Sequence, residues 1–218
     1  MDNIIYILFI CIVVPLLLML GLLEKKSRLT IGFMIIGIFM CLFAAELNGF
    51  MRQLLNDKSL FYITTTITPV TEEIVKALPV LFFAFVISDK REQLISISMA
   101  VGIGFAILEN TYILVNDADS VSVFWALVRG LGAGLMHGIC TAAIGIGISF
   151  VHKKKKLFYT GTFALLSTAV IYHAIYNSLV QSDYKYLGFL LPVLTYIPII
   201  IALAKSKKKQ SVADDKSN

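Results

Sequence analysis

The run LISISMAVGIGFAILENTYILV, residues 94–115, decides the fold: it is predominantly apolar and carries a single charged side chain, Glu109. Wound as an α-helix at 1.5 Å per residue it extends about 33 Å, enough to cross a hydrocarbon core about 30 Å thick. Six further stretches read the same way, at residues 4–23, 29–50, 69–87, 123–150, 157–181 and 186–204. The expectation is an all-α, polytopic transmembrane bundle of about seven spans, occupying residues 1–204. The amphipathic segment 51–68 links the second and third spans, lying in the membrane interface or re-entering the bilayer.

Composition agrees. Hydrophobic residues make up 58% of the 218-residue chain and charged residues 15%, against roughly 45–50% and about 25% in soluble domains. That balance makes lipid the solvent. Cys11, Cys41 and Cys140 all fall in apolar stretches without a CxxC, which excludes a disulfide framework and makes them packing residues. Cys140, three residues after His137, leaves a His/Cys metal pair as one option. No Lys or Arg precedes Lys25, so the first stretch is expected to stay as an anchor and not to be cleaved as a signal peptide.

The basic residues fix an orientation. Lys25, Lys26, Arg28, Lys90, Arg91, Lys153 to Lys156, Lys205, Lys207, Lys208, Lys209 and Lys216 fall on one side, against Arg52, Lys58 and Lys185 on the other. The positive-inside rule then puts the N-terminus outside and the C-terminus in the cytoplasm. Topology accounts for the net charge of +5, so no nucleic-acid partner is required. The polar tail 205–218 reads as a basic, disordered cytoplasmic segment able to touch anionic lipid.

Ionisable residues inside spans are costly and mark function. Glu46, Glu72, Glu73, Lys76, Glu109, His137 and His173 are such residues. Counted at 1.5 Å per residue from the cytoplasmic charge bordering each span, Glu72 and His173 rise about 25 Å, His137 about 24 Å, and Glu46 and Glu109 about 27 Å. Five helices thus deliver acids and imidazoles to one level in the outer half of the bilayer. Thr68-Pro69 reads as an N-cap and first helical position, placing Glu72 and Glu73 in the first turns, where the helix dipole favours negative charge. Lys76, four residues after Glu72, is expected to pair with it, leaving Glu73 less directly neutralised. One of the two acids is a candidate general base. Asn177, one turn after His173, is placed to orient that imidazole or donate to an oxyanion. Gly130, Gly134 and Gly138 form a ridge expected to admit a neighbouring helix closely.

Such a set suits three chemistries: water activation for hydrolysis, divalent-metal binding, or proton or ion relay in a transporter. No HExxH, GxSxG or Walker loop is present, which removes the usual zinc-protease helix and the common nucleophile and nucleotide motifs. Inverted repeats that would favour a transporter are not apparent.

Four segments carry a resemblance. Glu72-Glu73-Ile74-Val75-Lys76 matches EExxK, and Phe105 to Glu109 matches FxxxE. His137 with Thr141-Ala142 resembles HxxxTA, and His173 to Asn177 resembles a His with a polar residue four positions on. Over about residues 65–180 the chain resembles the PrsW family of bacterial intramembrane proteases, related to the CAAX-prenyl protease and bacteriocin-immunity group. The broader group more often reads EExxxR and FxxxH. Lys76 at shorter spacing, and Glu109 in place of His, favour the PrsW branch over a prenyl-protein protease or a self-immunity protein.

The resemblance implies a multi-pass peptidase of the bacterial plasma membrane. It implies the first, extracytoplasmic cut in a single-pass anti-sigma factor, which activates an extracytoplasmic-function sigma factor in a stress response. It implies catalysis by Glu72, Glu73, Glu109, His137 and His173. Glu73, or Glu72 in its place, would activate water. Glu109, His137 and His173 would bind a divalent metal such as zinc or stabilise the oxyanion, with Lys76 and Asn177 in support.

Overall fold

A computed structural model describes residues 4–119 and 121–198. Among them there is no strand. The helices are α1 (Ile4–Leu20), α2 (Lys25–Leu54), the single turn α3 (Leu60–Tyr62), α4 (Thr68–Val86), α5 (Arg91–Asn116), α6 (Val123–Ile148) and α7 (Lys155–Val180). Residues 185–198 are helical as well. The seven apolar stretches therefore all coincide with helices. The remainder of the last stretch and the tail 205–218 lie outside the described residues.

Four helices, α2, α5, α6 and α7, are long and apolar enough to cross a membrane. This is fewer than the expected seven. Helix α1 has only 17 residues, and α4 places Glu72, Glu73 and Lys76 within its 19.

Helices α5 and α6 form the interior. Within their apolar windows 61% of residues are buried, against 28% in α2 and 17% in α7. Helix α5 packs on α2 and α6, α7 packs on α6, and α4 touches α2, α5, α6 and α7. One apolar cluster includes Phe33, Val80, Phe83, Leu94, Ile144 and Ile148. A second includes Ile5, Ile38, Val75, Phe105 and Leu108. Large side chains such as Leu18, Phe82, Val86 and Phe163 point outward, as a lipid-facing surface requires. Lys153 Nζ reaches the Asp89 carbonyl at 2.9 Å and its carboxylate at 3.5 Å, so the α4–α5 and α6–α7 loops share one end of the bundle.

Glycines set the helix spacing, though not those of the expected ridge. A Cβ on Gly102 would sit 2.3 Å from the His137 carbonyl oxygen, and one on Gly104 would sit 2.0 Å from that of Met34. These two residues let α5 lie backbone to backbone against α6 on one side and α2 on the other. Gly130 and Gly134 have nothing within 4 Å of an added Cβ, and Gly138 has only ordinary contacts. Gly130 and Gly134 face away from the close crossing, which runs along Gly102, while Gly138 meets only side chains of α5.

The link 51–68 is built of two helix ends joined by a short turn. Its first residues complete α2, and its last run into α4 as one helix with a π segment over Ile63–Ile67. Thr68 is accordingly no N-cap: its backbone is helical and its N–H donates to the Ile63 carbonyl, five residues back. The N-cap is Ser59, whose hydroxyl accepts from the Tyr62 N–H at 3.1 Å. Pro69 explains the widening, because it has no N–H and its ring clashes with the carbonyl four residues before it. The acid pair thus stands in mid-helix, and the expected dipole stabilisation of a first turn does not apply.

Candidate active site

Four helices bring their polar side chains together in the interior. From α4 come Glu72, Glu73 and Lys76; α5 supplies Glu109, α6 supplies His137 and α7 supplies His173. Glu73, Lys76 and His173 are fully buried, and Glu72 and His137 nearly so. The coplanarity read from the depth count is a contact cluster.

Lys76 pairs with Glu73, not with Glu72. Its Nζ lies 2.6 Å from Glu73 Oε1 at the i, i+3 spacing. Both i+3 and i+4 positions share a helix face. The inward neighbours decide between them, because the same ammonium also reaches His137 Nδ1 at 2.8 Å and lies 4.5 Å from the Phe105 ring centroid, a favourable cation–π distance.

These contacts fix the imidazole protons. Lysine only donates, so His137 Nδ1 accepts and its proton sits on Nε2, which donates to Glu109 Oε2 at 2.8 Å. His173 Nδ1 is 2.8 Å from Glu73 Oε1. A carboxylate only accepts, so His173 carries its proton on Nδ1 and presents a bare lone pair at Nε2. The two rings meet edge to face with centroids 4.9 Å apart.

Glu72 is the exception in this network. Its Oε1 accepts from Asn48 Nδ2 at 3.3 Å, while its Oε2 has no hydrogen-bond partner. His173 Nε2 has none either, and the two atoms are 3.8 Å apart. Two electron-rich atoms facing each other in a buried site call for a cation between them. Tetrahedral zinc with N and O ligands at about 2.1 Å holds neighbouring ligand atoms about 3.4 Å apart. Glu72, His137 and His173 each offer a ligand atom, and those atoms lie within 4.8 Å of one another. Glu73 holds the far nitrogen of His173, the carboxylate–imidazole arrangement that orients a metal ligand. The residues fit a divalent metal, with Glu72 where Glu109 was expected among the ligands.

A cavity of about 540 Å³ leads to this point. Glu72, Asn48, Thr64, Thr68, Phe105 and Glu109 are among its walls, with Glu46 and Arg52. Glu73, Lys76, His137 and His173 lie behind that wall. Glu46 accepts a short hydrogen bond from the Tyr6 hydroxyl on α1, so it belongs to the cavity rim and not to the cluster.

The Asn177 side-chain amide hydrogen-bonds a backbone carbonyl and not the His173 ring. It donates to the Thr64 carbonyl at 3.0 Å. In the i−5 pattern of the π segment that carbonyl would receive the N–H of residue 69, which proline lacks. Asn177 thereby satisfies an orphaned acceptor and ties α7 to α4. Thr141 Oγ1 donates to the His137 carbonyl at 2.9 Å, next to the Gly102 crossing. Cys140 Sγ points to the Ala169 carbonyl at 3.6 Å, and the metal-capable cluster does not include it. Asn48 and its partner Thr71 were not singled out from the sequence; the signal was Asn48 lying two residues after Glu46, at the same depth.

A carboxylate on a cavity wall and an imidazole buried behind it, both with free lone pairs, define a metal-capable site within an apolar helical bundle. The chain matches the model of the PrsW family of intramembrane metalloproteases over residues 25–203. It belongs to that family: the protein is an intramembrane protease, a peptidase held in a membrane. No curated protein and no solved structure matches it.

Proposed function

We propose that the protease makes the first, extracytoplasmic cut in a single-pass membrane anti-sigma factor, releasing an extracytoplasmic-function sigma factor to a stress response. The observation that supports hydrolysis at this site is the unpartnered pair of Glu72 Oε2 and, buried behind the cavity wall, His173 Nε2. The side of cleavage follows from the loop charges. By the positive-inside rule they favour an N-terminus outside a bacterial plasma membrane, which would set the acid cluster in the outer half.

In this reading Glu72, His137 and His173 hold a divalent metal such as zinc. Bound there, the metal would supply Lewis-acid polarisation of a peptide carbonyl and a water of lowered pKa. Glu73 holds His173 in the tautomer that presents Nε2, and Lys76 neutralises Glu73. His137 is engaged through both nitrogens, so it joins the ligand set by releasing one partner. Glu109, on the cavity wall, is then positioned to take a proton from the attacking water and return it to the leaving amine.

The test is co-expression with a tagged candidate anti-sigma factor. Cleavage is expected with the wild-type chain and lost with Glu72→Ala, Glu73→Ala and His173→Ala. Cleavage that survives all three substitutions would falsify the assignment.

A further inference from the structure

We infer that Asn48 on α2, locked by Thr71 on α4, is a positioning residue that sets which oxygen of Glu72 faces the metal. The inference rests on the proposed metal-binding role of Glu72 and names what aims that carboxylate.

Asn48 Nδ2 lies 3.3 Å from Glu72 Oε1, and Thr71 Oγ1 makes a short hydrogen bond with Asn48 Oδ1. Donor logic orders this chain. A carboxylate only accepts, so the amide edge facing Glu72 must be the NH₂. The carbonyl edge then faces Thr71, whose hydroxyl is the donor that reaches it. A reversed amide would set Oδ1 against the carboxylate. The Thr71 hydroxyl also lies 2.9 Å from the Thr68 carbonyl one turn back, so its single proton is shared between that carbonyl and Asn48 Oδ1. The chain from Thr71 through Asn48 to Glu72 therefore holds the carboxylate from one side.

The effect on Glu72 is directional. With Oε1 held by the amide, Oε2 is the oxygen left facing His173 Nε2 at 3.8 Å, and Oε2 is the one without a partner. Without Asn48 the carboxylate can rotate toward the cavity, which both Asn48 and Glu72 line. Because Asn48 is neutral it adds no charge to the site and acts only through direction. Outer groups that orient ligands in this way are worth about 10–100-fold in metal affinity or activity.

The experiment titrates zinc alone, against a competing chelator, into the purified full-length protein in detergent, with thermal unfolding followed in parallel. Asn48→Ala is expected to weaken zinc binding by about 10–100-fold and Thr71→Val to weaken it in the same direction. The double substitution is expected to weaken it no further than Asn48→Ala, since Thr71 acts through Asn48. His173→Ala serves as the reference for the site. If His173→Ala loses zinc while Asn48→Ala and Thr71→Val bind it as the wild type does, the positioning role is overturned and the metal site stands. Strictly additive losses from the two substitutions, tracking a lowered unfolding temperature, also overturn it. If His173→Ala itself binds zinc unchanged, the metal-site reading fails, and this inference fails with it.

Discussion

Glu72 Oε2 and His173 Nε2 face each other across 3.8 Å in the protein interior, each without a hydrogen-bond partner. A cation shared between them resolves both deficits. Stripping divalent metal with a strong chelator is therefore expected to abolish proteolysis, and zinc is expected to restore it. Glu72→Ala and His173→Ala should each lower activity by more than about 100-fold, exceeding the effect typical of residues that only orient ligands. Full activity in chelator, after metal analysis has verified depletion, counts against the metal site.

The Glu73–Lys76 pair has no exposure on either side. Removing one partner of such a pair leaves an uncompensated buried charge and costs about 3–5 kcal/mol. Lys76→Met should therefore destabilise the protein strongly in denaturant titrations in detergent. Adding Glu73→Gln should recover most of that loss, since glutamine can still accept from His173 Nδ1 and no charge is left unpaired. Equal destabilisation in the single and double variants would show that the ion pair is not the source.

Gly102 separates α5 from α6 at the level of His137, with an added Cβ falling 2.3 Å from the His137 carbonyl. Gly102→Ala is expected to cost about 1–3 kcal/mol as an overpacked crossing and to lower activity by shifting His137. Gly134→Ala, where an added Cβ meets nothing within 4 Å, should change neither. Indistinguishable unfolding and cleavage by the two variants contradict this.

Asn177 satisfies the carbonyl that Pro69 leaves open. Asn177→Leu leaves that half-buried carbonyl without its donor, at a cost of about 1 kcal/mol. The loss is expected in unfolding, with zinc affinity in the purified protein changed by less than the His173→Ala loss. Zinc binding abolished to the same degree as by His173→Ala would place Asn177 in the ligand network instead.

Much of this was legible in the sequence because lipid imposes simple rules. Since a bilayer leaves few other ways to satisfy a backbone, hydropathy alone located the seven long helical stretches among the described residues, though not the turns before Thr68. The depth count brought Glu72, Glu109, His137 and His173 to one level because helical rise is nearly constant. What it could not supply was azimuth. Lys76 lies within one turn of both Glu72 and Glu73, and only the positions of His137 and Phe105 select Glu73. Asn48 and Thr71 were not singled out because neutral polar residues at a span end are common. Thr68-Pro69 read as a helix start since that dipeptide usually is one. The helix had in fact begun at Ser59, and the proline was absorbed as a widened turn.

That widened turn has a consequence for register. Leu60, Thr64, Thr68 and Glu72 all line the cavity, yet twelve residues of regular α-helix rotate the first about 120° from the last. A π turn takes up one extra residue. The effective count becomes one fewer and the offset falls to about 20°. The bulge acts as a phase corrector, keeping the entrance wall and the reactive carboxylate in line along one helix. Single-residue deletion within Ile63–Ile67 would remove the extra residue and keep that alignment. A single-residue insertion or deletion between Thr68 and Glu72 would turn Glu72 by about 100° relative to the wall above it. The length of chain between Thr68 and Glu72 is thus the dimension this protease cannot vary.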